Sequence, residues 1–267
     1  MDEKAHFQPS HNPLRCTVRA HTKNVLITHT RGSSDLEHIM SQADIKVTHV
    51  PMLEVAPIKI GKIKQTVCCS ADTWIFLSRH SITANSDLLR QCLQDQTVIA
   101  IGPGTQDALE DQGIRVDLVP EINHSSDGIA QLRYLNNDQQ RKILIFSESN
   151  APSALRTKLK KQGHQVAHVA TYQHQPRASQ EIAETIQPLT EQITDITTHS
   201  QKGLLHLLQC TKQEQLHNLL SKTLLVTSKA MQSLAQKNGF SQVICSHDNA
   251  PMEIYKALDN HWTRTTP

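Results

Sequence analysis

Short apolar, β-branched runs alternate along this chain with segments whose apolar residues recur at helical spacing. The runs predict strands at Val25–Thr28, Val47–Val50, Ile75–Leu77, Val98–Ile101 and Val116–Leu118. A second set follows at Ile143–Phe146, Val166–Val169, Ile196–Thr198, Leu224–Val226 and Gln242–Ile244. Between them, segments such as 151–162 put Ala154, Leu155 and Leu159 on one helical stripe and stop at Gly163; Gly113 and Gly239 end helices in the same way. Strand–helix–strand alternation implies parallel sheets covered by helices on both faces.

The pattern is written twice. Residues 25–57 open with VLITHT, run to VTHV at 47–50 and reach Pro57; residues 143–176 open with ILIFSE, run to VAHV at 166–169 and reach Pro176 at the same spacing. The blocks that follow also answer one another: WIFLSRHSITANSDLL and VIAIGPGTQDALEDQGIRV against ITDITTHSQKGLLHLL and LLVTSKAMQSLAQKNGFSQV. A repeat this long is a duplicated α/β unit, not a solenoid period. Segments 51–57 and 170–176 are extended, proline-marked and fall at the same point of each copy. A chain that crosses between domains at both forms one domain from 23–50 plus 177–267 and another from 58–169. Residues 51–57 and 170–176 are then inter-domain linkers, and 1–22 a mobile N-terminal tail. Each domain receives five strands, and the two frame one cleft. One domain per copy, with a single linker near residue 140, is the alternative.

Composition narrows the function classes. A formal net charge of +2 without a Lys/Arg block, and 3% aromatic residues, argue against a nucleic-acid partner. No apolar run reaches membrane-spanning length, and residues 1–22 lack the apolar stretch of a signal peptide, so a cytoplasmic protein is expected. None of the six cysteines forms a CxxC pair, which favours free thiols over a disulfide frame. Zinc spacing is absent, and His164 and His168 sit at a strand entry, where four-residue spacing makes no helical chelate; no metal is expected.

Ligands of open parallel sheets bind beyond the carboxyl ends of the strands. Small and hydroxylic residues gather there: Ser78, Gly102 to Thr105, Ser125, Ser126, Ser147, Ser149, Ser200, Thr227, Ser228 and Ser246. Such a rim suits an anionic ligand held by neutral donors. Helix capping alone also places Ser and Thr at these junctions, so the functional argument rests on recurrence of the set in both domains. GPGT lacks the GK[ST] ending of a phosphate loop, and neither GxGxxG nor GxSxG occurs in a fitting context. Glu148 and Asp248 read as helix caps. Tyr172, within the second crossing, is either a proton donor or a packed linker aromatic.

Taken in order, several of these blocks resemble the uroporphyrinogen-III synthase family over residues 23–262. WIFLS (74–78) resembles its FTS-type strand end, and IGPGT (101–105) with Ala108, Leu109 and Gly113 its G-x-x-T-A-x-x-L block. SSDGI (125–129), ATY (170–172) and ITTHSQKGL (196–204) resemble its S-E-G-L helix start, linker V-Y and second TS-type strand end. The resemblance implies two flavodoxin-like doubly wound parallel-sheet α/β domains, interleaved in sequence and joined by a two-stranded linker. It implies a lyase of tetrapyrrole biosynthesis that closes hydroxymethylbilane, a linear octacarboxylate, with loss of water and inversion of ring D through a spiro intermediate. No cofactor is implied; the substrate's upstream donor would be hydroxymethylbilane synthase, and a monomer is expected. Carried over by residue, Tyr172 assists departure of the hydroxyl, Thr105 binds substrate carboxylate, and Ser78, Ser200 and Ser228 contact substrate side chains, with Gly102, Ser126, Ser147 and His199 completing the set. The chain departs from the family at Leu77 and His199, where Thr is usual, at Ser147 (Gly), at Ala151 and Pro152 (Arg) and at Ala230 (Arg). His199 is expected to carry positive charge below about its ordinary pKa of 6.5. A non-catalytic two-lobe binding protein, a tetrapyrrole carrier or sensor, is the competing reading. A nucleotide-sugar transferase would want basic phosphate ligands and a nucleotide-reading carboxylate that cannot be placed.

Overall fold

The computed structural model describes residues 23–30, 34–82, 84–246 and 248–265. The expected tail at 1–22, with Cys16, lies outside the described residues. Contacts divide the chain into two units: the first holds residues up to Glu54 and from Pro176 onward, the second Val55–Gln175.

In the first unit, β1 (Asn24–Ile27), β2 (Lys46–His49), β8 (Asp195–Thr198), β9 (Thr223–Val226) and β10 (Gln242–Cys245) form a five-stranded sheet in the order β2-β1-β8-β9-β10. Every pairing is parallel. In the second, β3 (Leu53–Pro57), β4 (Thr73–Phe76), β5 (Thr97–Ala100), β6 (Lys142–Glu148) and β7 (Gln165–Pro176) form a sheet in the order β3-β7-β6-β4-β5, with β7, β6, β4 and β5 mutually parallel. Sorted by copy, the two orders agree: strands two and one of one copy, then three, four and five of the other. The second sheet keeps only a trace of its fifth strand, a single bridge between Ile99 and Leu118.

That trace corrects the expected strand at Val116–Leu118. Asp117 Oδ2 accepts the Val98 amide at 2.8 Å, a donor that a neighbouring strand's carbonyl would otherwise take. The ladder therefore stops at one bridge, in which the Leu118 amide reaches Val98 O at 3.2 Å and Leu118 O accepts the Ala100 amide at 3.0 Å.

Alternation along each strand feeds two cores per unit. In β1, Val25 and Ile27 meet Leu36 and Met40 of α1 (Ser34–Gln42) and Leu258 and Trp262 of α11 (Pro251–Thr265). Leu26 faces the opposite core, with Ile182 of α7 (Ser179–Ile186), Leu204 of α8 (Gln201–Cys210), Leu219 of α9 (Gln213–Leu220) and Met231 of α10 (Lys229–Lys237). In β4, Trp74 and Phe76 pack with Cys68 of α2 (Lys62–Cys69), Leu89 of α3 (Ser86–Cys92) and Leu109 of α4 (Pro103–Glu110). Ile75 packs on the other side with Ile129 of α5 (Ser126–Ala130) and Leu155 and Leu159 of α6 (Ala154–Lys161). Each fully buried aliphatic or aromatic side chain contributes about 1.5–3 kcal/mol. Among the described residues, no helix is long and apolar enough to cross a membrane.

Gly113, Gly163 and Gly239 have φ of +71°, +92° and +94°, the left-handed backbone that ends a helix most cheaply at glycine. Copy one meets the same need at Asp44, φ +59°, which stands where copy two has Gly163. The free-thiol expectation is corrected at one pair: Cys69 and Cys92 form a disulfide, with Cα atoms 4.7 Å apart. Both residues end helices, α2 and α3, and packing of those helices brings the two ends together across a sequence distance that spacing could not reveal. Cys68, Cys210 and Cys245 form no disulfide among the described residues.

Candidate functional site

In the second unit the carboxyl ends of β4, β5, β6 and β7 carry the candidate residues. Ser78 follows β4, is buried, and accepts the His80 amide at 3.3 Å, which caps a short 3-10 turn at Arg79–Ser81. Gly102 follows β5 as the extended N-cap of α4 with no side chain to close that end. Thr105, in the first turn of α4, is 7% exposed; its amide turns back to Gly102 O at 3.0 Å. Ser126 opens α5, but the cap is Ser125, whose Oγ accepts from the amides of Asp127 and Gly128. Ser147 is 2% exposed and its hydroxyl is engaged with His168 Nε2 at 2.9 Å.

Tyr172 owes its place to a bulge. Ser147 pairs with Ala170 and the next residue, Glu148, pairs with Tyr172, so Thr171 is an extra residue on β7. A bulge re-aims the side chain that follows it. Thr171 is fully buried, its hydroxyl donating to Ser147 O at 3.2 Å, and Tyr172 is 7% exposed. The phenol ring has two imidazole neighbours, His80 at 5.6 Å and His174 at 5.8 Å by ring centroids. Glu148 does not cap a helix as expected. It pairs with His174, whose Nδ1 lies 3.0 Å from Oε1 and whose amide donates to the same oxygen at 3.4 Å. Its position inside the strand, rather than before a helix, is the reason.

In the first unit, Ser200 and Ser228 cap α8 and α10, accepting the amides of Gly203 at 3.0 Å and Met231 at 3.3 Å. Asp248 Oδ1 accepts the Ala250 amide just before α11, and Ser246 Oγ donates to Asp248 O at 2.7 Å. His199 stands at the end of β8 with its ring stacked on His29 at 4.1 Å, and His29 in turn lies 6.0 Å from His49. Three imidazoles thus gather at the ends of three neighbouring strands, β2, β1 and β8. His49 is tied to Glu37 at 3.4 Å and to His29 O at 2.9 Å. Nδ1 of His29 and Nε2 of His199 are buried without a hydrogen bond among the described residues.

Burial pushes the pKa of the His199 ring below its ordinary value, so the ring takes up a proton at a lower pH than the sequence suggests. His29 falls further, to about 3, from burial first and then from the neighbouring His199 and His49. Sequence alone does not single out His29, His49, His80 or His174. The VTHV block carries His49, but its ring meets the others only through sheet order. Among the described residues, no group of three or more His, Cys, Asp or Glu is arranged to hold a metal ion. His164 and His168 point to different partners, Leu135 O and Ser147 Oγ.

Residues 34–252 match the family model described as uroporphyrinogen-III synthase HemD. Among solved structures, uroporphyrinogen-III synthetase from Helicobacter pylori 26695 aligns over 90% of this chain and 99% of its own, at 12% identity and a TM-score of 0.60. A mutant uroporphyrinogen III synthase from the extremely thermophilic bacterium Thermus thermophilus aligns over 91% and 100%, at 12% identity and a TM-score of 0.51. No curated protein matches the sequence.

Proposed function

The chain belongs to the uroporphyrinogen-III synthase family, and from that premise we propose that it closes hydroxymethylbilane to uroporphyrinogen III. Water leaves, and ring D inverts through a spiro intermediate. The observation that carries this reading is the placement of Tyr172: a phenol set by a bulge within β7, opposite the last residue of β6, with His80 and His174 as ring neighbours.

Tyr172 donates its proton to the departing hydroxyl, which leaves as water and creates an azafulvene. The substituted carbon of ring D attacks to form the spiro intermediate; fragmentation and reclosure invert the ring. The proton lost on reclosure restores the phenol, so the step balances without an outside acid. The His174–Glu148 pair holds one flank of the phenol.

Each unit's rim supplies neutral donors for substrate carboxylates. A capping serine accepts a helix amide through its lone pair and keeps its own O–H to donate. Ser200 and Ser228 are in that state, and capping and binding do not compete there. Thr105 adds a hydroxyl within the first turn of α4, where the helix dipole favours negative charge. His199 adds an imidazole at the end of β8 whose pKa burial lowers. Uncatalysed closure gives the type I isomer, so catalysis here is largely control of which ring D carbon reaches the azafulvene.

The test supplies purified protein with fresh hydroxymethylbilane, oxidises the products and separates the III and I porphyrin isomers. A dominant, protein-dependent III isomer is expected. Type I alone, at the protein-free rate, would overturn the reading in favour of a non-catalytic tetrapyrrole-binding protein. Tyr172→Phe is expected to lower kcat on the order of 10²-fold and to leave KM within about twofold.

A further inference from the structure

We propose that Arg79 is a substrate-binding residue that clamps one carboxylate against the first turn of α4. The identity of the acid rests on the function proposed above; the geometry of the clamp does not.

Arg79 opens the turn that follows β4, and its guanidinium lies across Gly104, the second residue of α4. A Cβ on Gly104 would stand 2.7 Å from Nη2 of Arg79 and 3.7 Å from Cζ, so glycine leaves room for the cation against the backbone and a larger residue would push the flexible end of Arg79 aside. Two further donors share this turn. Gly104 is the second residue of the helix, where an amide has no partner within the helix, whereas the amides of Thr105 and Gln106 both return to Gly102 O. Thr105 is 93% buried, since only 7% of it is exposed, and its hydroxyl makes no hydrogen bond among the described residues. Arg79 itself forms no ion pair among the described residues, unlike Arg90 with Asp87 or Arg177 with Glu181.

An exposed arginine with no acid beside it, laid over the N-terminus of an uncapped helix next to an unused hydroxyl, is matched to one planar anion. The guanidinium fork pairs with both oxygens of a carboxylate, and the helix end adds dipole and amide. A poly-carboxylate substrate supplies such a group. The clamp acts on ground-state and transition-state binding alike, so it should appear in KM rather than kcat.

The probe is uroporphyrin III, an octacarboxylate whose fluorescence reports binding to the full-length chain. Arg79→Gln is expected to weaken binding roughly tenfold and to flatten its dependence on KCl. Arg79→Lys should fall between the two, retaining charge without the fork. Gly104→Ala keeps the cation but shifts it, and is expected to weaken binding by less than Arg79→Gln does. In the cyclisation assay, Arg79→Gln should raise KM by a similar factor with kcat within about twofold. Wild-type affinity in either Arg79→Gln or Gly104→Ala, with both proteins folded by circular dichroism, would overturn the clamp, as would no binding by the wild type. Arg79-dependent binding together with only type I product would sink the synthase reading and leave the clamp standing. Type III product made equally well by Arg79→Gln would do the reverse.

Discussion

Ser200 and Ser228 sit one residue before α8 and α10 and accept helix amides through Oγ. This local chemistry was legible, because a serine between an apolar run and a helical stripe has one preferred use. The histidines were not. His29 and His199 are 170 residues apart by number and meet only because β1 and β8 are neighbours in the sheet. Their contact has a measurable consequence. A folded-state pKa of about 3 for His29, against 6.5 when unfolded, means that between those values the unfolded chain binds a proton the folded chain refuses. Stability therefore falls as pH drops from about 6.5 toward 3. Urea unfolding midpoints at pH 7.5 and pH 5 should draw closer together in His29→Gln than in the wild type. An equal drop in both proteins would remove this residue from the account.

Among the elements, α11 shows how a polar contact pins an apolar helix. Trp262, 1% exposed, donates from Nε1 to Asp195 Oδ1 at 3.0 Å at the start of β8, while Thr194 Oγ1 satisfies Oδ2 at 2.6 Å. Trp262→Phe leaves a buried carboxylate oxygen without its donor. The expected cost is about 1–3 kcal/mol, read as a lower urea midpoint with unchanged slope; wild-type stability would show that Asp195 finds another partner. Element prediction failed at Val116–Leu118 because a β-branched run says nothing about Asp117, whose carboxylate takes the first ladder donor for itself. It missed the β7 bulge for a related reason: Thr171 reads as one more strand residue until β6 is laid beside it. That bulge sets the direction of Tyr172, so the residue was legible as a candidate and its placement was not.

At the scale of the whole molecule, copy one lends its first two strands to the sheet that copy two completes, and copy two does the same in return. The second unit, Val55–Gln175, is continuous in sequence and contains both of its apolar clusters, one around Trp74 and Phe76 and one around Ile75 and Ile99. A chain limited to 55–175 is expected to unfold cooperatively in urea, followed by tryptophan fluorescence from Trp74. A gradual, featureless transition would mean that the second unit depends on the first for stability. Sequence by itself determined the strand and helix alternation, the duplication, the glycine stops and the serine caps, because these depend on residues within a few positions of one another. Tertiary structure alone decided the bulge beneath Tyr172, the stacked histidines, the Cys69–Cys92 bridge and the seat of Arg79 on Gly104. Each is a contact between segments whose separation along the chain carries no information about their separation in space.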